Sequence, residues 1–289
     1  MFQRVAIVGL GLIGSSIGLA LHNAKAARQI TGYDPDKSVA HHARKIGAID
    51  QSCPALADAV RGVEFVVLAT PIGLIRSLLQ DIATVASPGT VVTDVTSTKA
   101  QVISWAEEYL PHSVLFVGGH PILSVDTFDD GLATAALFKD CVYCLTPTKR
   151  TSSTALHQVI QLIELLDARV RFLEPAEHDG LVAGVNHLPF VLSAILMNTV
   201  AASPSWADAA IVAEKSMYNM TRTTSNNPEV YRDICVTNSE ALSRWLDEYI
   251  RGLSAFRNQL MLRDSNLVQT FYKSKKLREQ WQTTYDANQ

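Results

Sequence analysis

The chain has 289 residues, 47% of them hydrophobic, with a formal net charge of −3 and a pI near 6.2. That is length for about two globular domains with a sizeable core, and its scattered lysines and arginines form no basic stripe of the kind that holds nucleic acid or an anionic membrane. Four cysteines do not make a disulfide scaffold in so long a chain, and the one close pair, Cys141 and Cys144 in "CVYCL", lacks the second pair that a zinc site needs, so no metal is expected. The start "MFQRVAIVG" enters a strand pattern at once, with no cationic segment, apolar signal core or small-residue cleavage site. A cytoplasmic protein is expected on that ground.

From Arg4 to about Pro147, short β-branched runs ("RVAIVG", "QITGYD", "EFVVLATP", "TVVTDV", "VLFVGG", "CVYCLTP") alternate with segments of helical period. This pattern predicts an α/β fold, a Rossmann-type doubly wound parallel sheet over residues 1–148. After the polar "TPTKRTSS", strands nearly vanish apart from "ARVRFL", and residues 149–289 read as a second, all-helical domain.

The first strand leads into "GLGLIG", whose Gly9, Gly11 and Gly14 precede a helical pattern, a second strand and, twenty residues after Gly14, Asp34. A lone GxGxxG is weak, and glycines at a strand-to-helix turn can serve packing only, but here the whole βαβ context is present. Gly9 suits the tight turn and Gly11 lets the backbone approach a pyrophosphate. Gly14 suits close helix packing, with the first helical amides, those of Leu12, Ile13 and Gly14, facing the phosphates. A carboxylate at the end of the second strand accepts from both ribose hydroxyls and repels a 2′-phosphate, so Asp34 favours NAD over NADP, with Lys37 the one nearby cation.

Further along, "ATPI" (69–72, with Thr70 and Pro71) and "DVTSTKA" (94–100) each follow an apolar run and belong where strand ends meet a cofactor. "TSTK" also reads as a helix start capped by Ser97 or Thr98. "VLFVGGHPI" is expected to leave its strand and set His120 on a loop stiffened by Pro121. His178 and Asp179 in "AEHDGLV" suit the first turn of the helix that carries His187, and this plainer role is preferred to a site pair. The apolar stretch 181–202 is long enough to cross a membrane, but Asn186, His187 and Pro189 sit in its first half, which favours a buried helix beside a polar site. On sequence alone His187 reads as a satisfied core histidine and Arg222 as a surface charge.

In order and spacing, "VGLGLIGSSIGLAL", "ATPI", "TDVTSTK", "GGHPI", "LTPT", "EHD", "HLPF" and "MTRTTSNNPEVYRDI" resemble the TyrA family of prephenate and arogenate dehydrogenases, over nearly the whole chain. The resemblance implies NAD(P)-dependent oxidative decarboxylation of prephenate or arogenate, in tyrosine biosynthesis, and a helical C-terminal domain that dimerises. Carried onto this sequence, it makes His120 and Ser97 the catalytic pair at the ring hydroxyl, and His187 and Arg222 the substrate-binding residues. These types suit the chemistry, since a neutral imidazole accepts a hydroxyl proton and a guanidinium fork grips a carboxylate. The chain departs from the family at "HPILSVD", where Leu123-Ser124, Val125 and Asp126 replace the usual small pair, threonine and glutamate. It departs again at Asn219, where an aspartate is usual before the arginine. Both changes bear on the pocket, leaving a relative specialised for a modified prephenate as an alternative. Two others are a β-hydroxyacid or imine-reducing dehydrogenase, which would be expected to carry a second-domain lysine absent from "GLVAGVNHLPF", and a nucleotide sensor without chemistry.

Overall fold

The computed structural model describes residues 1–123 and 131–286. Among them, strands β1 (Phe2–Val8), β2 (Ala27–Tyr33), β3 (Gln51–Ser52), β4 (Phe65–Leu68), β5 (Val91–Asp94), β6 (Leu115–Ile122), β7 (Val142–Thr146) and β8 (Arg169–Phe172) form one sheet in the order β3-β2-β1-β4-β5-β6-β7-β8. The strand side chains alternate between two cores. Val5, Ile7, Phe65 and Val67 pack with α1 (Leu12–Asn23) and α6 (Ser153–Leu165), while Ala6, Val8, Val66 and Leu68 pack with α3 (Leu56–Val60), α4 (Ile72–Val85) and α5 (Ala100–Tyr109). Both faces are covered, which is why these strands read as continuous apolar runs. A nine-residue helix, α2 (Lys37–Lys45), follows β2.

The strand order reverses between β1 and β4, so the crevice beyond their carboxyl ends is where an open parallel sheet binds ligands. Two features differ from the sequence expectation. β7 runs antiparallel to β6, pairing His120 with Cys144 and Pro121 with Tyr143. An antiparallel return needs no crossover helix, and the described part of the connection, 131–141, contains none. The sheet also continues past residue 148, because α6 packs on it and β8 pairs parallel with β7.

Beyond β8 the described chain is helical: α7 (Pro175–Val182), a π-helical turn Ala183–His187, α8 (Leu188–Ala201), α9 (Trp206–Ile211), α10 (Lys215–Thr221), a 3-10 turn Arg222–Ser225 and α11 (Pro228–Thr237). Phe190 stacks on Tyr231 with centroids 4.1 Å apart and so ties α8 to α11. Residues 175–201 are the one stretch among the described residues long and apolar enough to cross a membrane. Three of its polar residues instead bond to other elements of the same compact unit, Met1–Asn238, as described below. A second unit, Ser239–Gln289, is described as two helices, α12 (Ser239–Met261) and α13 (Leu267–Asp286), with Phe256 edge-on to Phe271 at 6.0 Å.

Candidate active site

The glycine turn has the shape its spacing predicts. Gly9 has φ +89°, a conformation that side chains disfavour, and a Cβ there would lie 2.5 Å from the Ala69 carbonyl oxygen. A Cβ on Gly14 would lie 1.9 Å from the Gly9 carbonyl oxygen, so only glycine lets α1 start this close to β1. Gly11, the N-cap of α1, faces open space, and the first turn carries no acidic side chain. The first-turn amides, those of Leu12, Ile13 and Gly14, therefore form an unblocked positive end suited to a pyrophosphate.

The Asp34 carboxylate accepts from the Leu10 amide at 2.8 Å and from the Asp36 amide at 2.9 Å, which fixes it beside the turn with lone pairs left for ribose hydroxyls. Asp36 is occupied elsewhere, capping α2 through the Ser38 amide. Pro71 is the N-cap of α4, and the Thr70 hydroxyl beside it is buried with no partner among the described residues. A buried orphan donor next to the switch point is what a bound cofactor would satisfy. These residues fit a dinucleotide.

His120 is not on a loop. It lies inside β6, 8% exposed, where β6 has outrun β5 and keeps only β7 as a neighbour. Pro121 is tolerated there because a strand with one open side does not need every amide. His120 Nδ1 lies 2.9 Å from His178 Nε2, and His178 Nδ1 lies 2.8 Å from Asp179 Oδ1. The two carboxylate oxygens of Asp179 also accept from the Lys99 and Ala100 amides, at 2.7 and 2.9 Å. Asp179 thus caps α5 from another part of the chain. The cap expected from Ser97 or Thr98 is not made: Lys99 is the N-cap, with no side-chain cap bond of its own. His178 and Asp179 lie near the start of the helical run that carries His187, as expected, and both are also buried and join this network.

A second layer steadies this one. The Lys99 ammonium pairs with Asp94 and donates to the Gly119 carbonyl at 2.7 Å, and Asp94 accepts from the Gly119 amide at 3.1 Å. Gly119, the residue before His120, is therefore tied to the end of β5. Burial above all, then the neighbouring His178 and Lys99, push the His120 pKa well below the usual histidine value, so its imidazole is neutral at pH 7.

His187 closes the π-helical turn, an insertion often found where a side chain must be re-aimed. Its Nδ1 lies 3.2 Å from the Asn238 side-chain amide, which also donates to the Asp179 carbonyl. Its Nε2 is buried without a partner among the described residues, so it is not a satisfied core histidine. Arg222 opens the 3-10 turn that packs on α8, half-buried, and Ser97 is half-buried in the loop after β5. Asn219 lies exposed on α10, Leu123 is partly buried against the sheet core, and Ser124, Val125 and Asp126 lie outside the described residues.

Burial pushes the His187 pKa down to about 4. The folded protein does not protonate this ring until well below the pH at which the unfolded chain does. The associated stability is full above about pH 6.5 and is lost as pH falls toward 4, amounting to about 3 kcal/mol. The stability difference between wild type and His187→Gln should shrink by that amount from pH 7 to pH 4 in urea unfolding; a constant difference would contradict the burial argument.

The sequence profile of the prephenate dehydrogenase nucleotide-binding domain matches residues 17–172, and that of the prephenate dehydrogenase dimerization domain matches residues 174–273. The chain belongs to the prephenate dehydrogenase family. It is 30% identical to a prephenate dehydrogenase of Bacillus subtilis, over 96% of this chain and 75% of that one. It is 27% identical to a cyclohexadienyl dehydrogenase of Zymomonas mobilis, over 99% and 98%. Among solved structures, the prephenate dehydrogenase of Aquifex aeolicus in complex with hydroxyphenyl propionate and NAD+ superposes with a TM-score of 0.88 at 25% identity, covering 97% of this chain and 98% of that one. Membership of the prephenate dehydrogenase family displaces the β-hydroxyacid and imine-reducing alternatives.

Proposed function

We propose that this protein is an NAD-dependent dehydrogenase that oxidatively decarboxylates prephenate, or its amino counterpart arogenate, to 4-hydroxyphenylpyruvate or tyrosine. The observation that carries the reading is His120: a neutral imidazole, near the carboxyl end of a sheet strand in a family of prephenate dehydrogenases, backed by a buried network that leaves it little freedom. NAD, bound at Gly9, Gly11, Gly14 and Asp34 and flanked by Thr70 and Pro71, supplies a hydride acceptor. His120 takes the proton of the ring hydroxyl as the carbon beneath it becomes electron-poor, which stabilises the forming carbonyl. Ser97 bonds the same hydroxyl and fixes its direction. His187 and Arg222 hold the substrate's carboxylates, the first through the buried Nε2 that has no partner among the described residues, the second through its planar fork. Loss of carbon dioxide then makes the ring aromatic.

The nucleotide-binding half ends at Phe172 in this reading, and the helices after it bind substrate and form a cytoplasmic homodimer in the tyrosine biosynthetic pathway. The family's dimerization-domain match supports the dimer, as do exposed apolar side chains such as Val185 and Ile195 in one unit and Phe271 and Trp281 in the other.

Two substitutions test the assignments. Asp34→Ser combined with Pro35→Arg removes the repulsion of a 2′-phosphate and adds a cation for it. The ratio of kcat/KM with NAD to that with NADP should fall by roughly ten- to a thousandfold; a wild type that already prefers NADP would overturn the role of Asp34. Arg222→Ala removes a contact remote from the reacting carbon, equal in ground and transition states. KM should rise about ten- to a hundredfold while kcat stays nearly constant, because a charge-assisted bond contributes about 1.5 to 3 kcal/mol. An unchanged KM for every accepted substrate would mean that the carboxylate is held elsewhere.

A further inference from the structure

The catalytic reading leaves His178 and Asp179 without a task, although both are fully or almost fully buried and lie directly behind His120. Protons can be placed along this row by elimination. Asp179 sits at the start of α5, where the Lys99 and Ala100 amides donate to its two oxygens and so hold both as acceptors. An ionised carboxylate only accepts, so His178 Nδ1, 2.8 Å away, carries a proton. A neutral His178 then has a bare Nε2, which can only accept across the 2.9 Å contact to His120 Nδ1. The proton in that contact therefore belongs to His120 Nδ1, and the free lone pair of His120 is on Nε2.

We infer that His178, backed by Asp179, is a positioning residue that holds His120 in the tautomer with Nδ1 protonated and Nε2 bare, so that the base meets the substrate hydroxyl through Nε2. The inference rests on His120 being the base of the proposed reaction. The charges facing the row agree with it. The buried Lys99–Asp94 pair stands beside the row, and the Asp179 carboxylate, in contact with His178 Nδ1, keeps a proton on that nitrogen. Without the row, a neutral imidazole divides between two tautomers and two ring orientations, only one of which presents a base.

The structure also defines the competing arrangement. An imidazolium at His178 would donate from its own Nε2, reverse the contact and put the His120 proton on Nε2, where it could not act as a base.

Nitrogen-15 NMR of histidine-labelled full-length protein separates the two arrangements, since bare and protonated ring nitrogens resonate far apart. The His120 signals are assigned by their loss in His120→Asn. The expected result is a protonated Nδ1 and a bare Nε2 at His120 near neutral pH; a bare Nδ1 with a protonated Nε2 overturns the inference. Kinetics give a second readout. His178→Phe, which cannot accept a hydrogen bond, should lower kcat by about ten- to a hundredfold with KM and NAD affinity little changed. His178→Gln, whose carbonyl oxygen can accept from Nδ1, should recover most of that loss. Wild-type kcat in a folded His178→Phe, or equal loss in both variants, overturns the inference. The predicted tautomer in a protein that oxidises neither prephenate nor arogenate would overturn the functional reading and uphold the tautomer, whereas turnover with the opposite tautomer would overturn the inference alone.

Discussion

Replacing His120 by asparagine should lower kcat by roughly a hundredfold or more, the contribution usual for a positioned general base. Asparagine keeps a polar group of similar reach, but its amide cannot take up the hydroxyl proton, so the step that loses hydride must proceed without a base. The substitution lies in β6, away from the glycine turn, so the dissociation constant for NAD should stay within about twofold of wild type. The separation of the two effects is the informative part. A parallel fall in NAD affinity would point to collapse of the row formed by His120, His178 and Asp179, and wild-type turnover would remove His120 from the chemistry. Stopped-flow turnover together with fluorescence titration of NAD distinguishes these outcomes.

The second large effect is expected at Gly14. A methyl group there would meet the Gly9 carbonyl oxygen at 1.9 Å, a backbone atom that no rotamer change can remove. Gly14→Ala must therefore push α1 away from β1, and overpacking of this kind costs typically about 1 to 3 kcal/mol. In a protein of this size that lowers Tm by about 2–4 °C for each kcal/mol. The same shift carries the first-turn amides away from the pyrophosphate, so NAD affinity should fall at least about tenfold, one order of magnitude being about 1.4 kcal/mol. Calorimetry with and without NAD reads both consequences. A Gly14→Ala protein with unchanged Tm and NAD affinity would mean that the close approach of helix and strand is not needed.

Much of the fold was legible because its signals are local. The runs that became β1, β2, β4, β5, β6 and β7 carry their β-branched residues consecutively, as strands covered on both faces must. The turn at Gly9 to Gly14 is defined by three residues and the strand before them. The cofactor half of the site was readable for the same reason, since Asp34 and the glycines belong to one βαβ unit.

The catalytic half was readable only as a set of residues and not as an arrangement. His120 was expected on a loop because "GGHP" looks like a strand terminator. The residues that keep it in a strand come from β7, an antiparallel partner more than twenty positions away. The cap of α5 was sought within a few residues of the helix and is supplied by Asp179, eighty positions later. Lys99 and Asp94 both lie in "DVTSTKA", but nothing in their spacing marked them as a buried ion pair, which the loop's path alone creates. The π-helical turn that sets His187 differs from an α-helix by one extra residue, a phase slip that cannot be read in a stretch apolar on every side.

The measurement that tests the account most directly is a side-by-side turnover assay of the purified protein with prephenate and with L-arogenate, each with NAD and with NADP. It would follow reduced nicotinamide by its near-ultraviolet absorbance and carbon dioxide by trapping. The account predicts that at least one of the two substrates is consumed with NAD, that reduced cofactor and carbon dioxide form in equal amounts, and that the product is 4-hydroxyphenylpyruvate or tyrosine. It also predicts that NADP is the poorer acceptor. A folded protein that binds NAD and oxidises neither substrate, or that reduces NAD without releasing carbon dioxide, would contradict it.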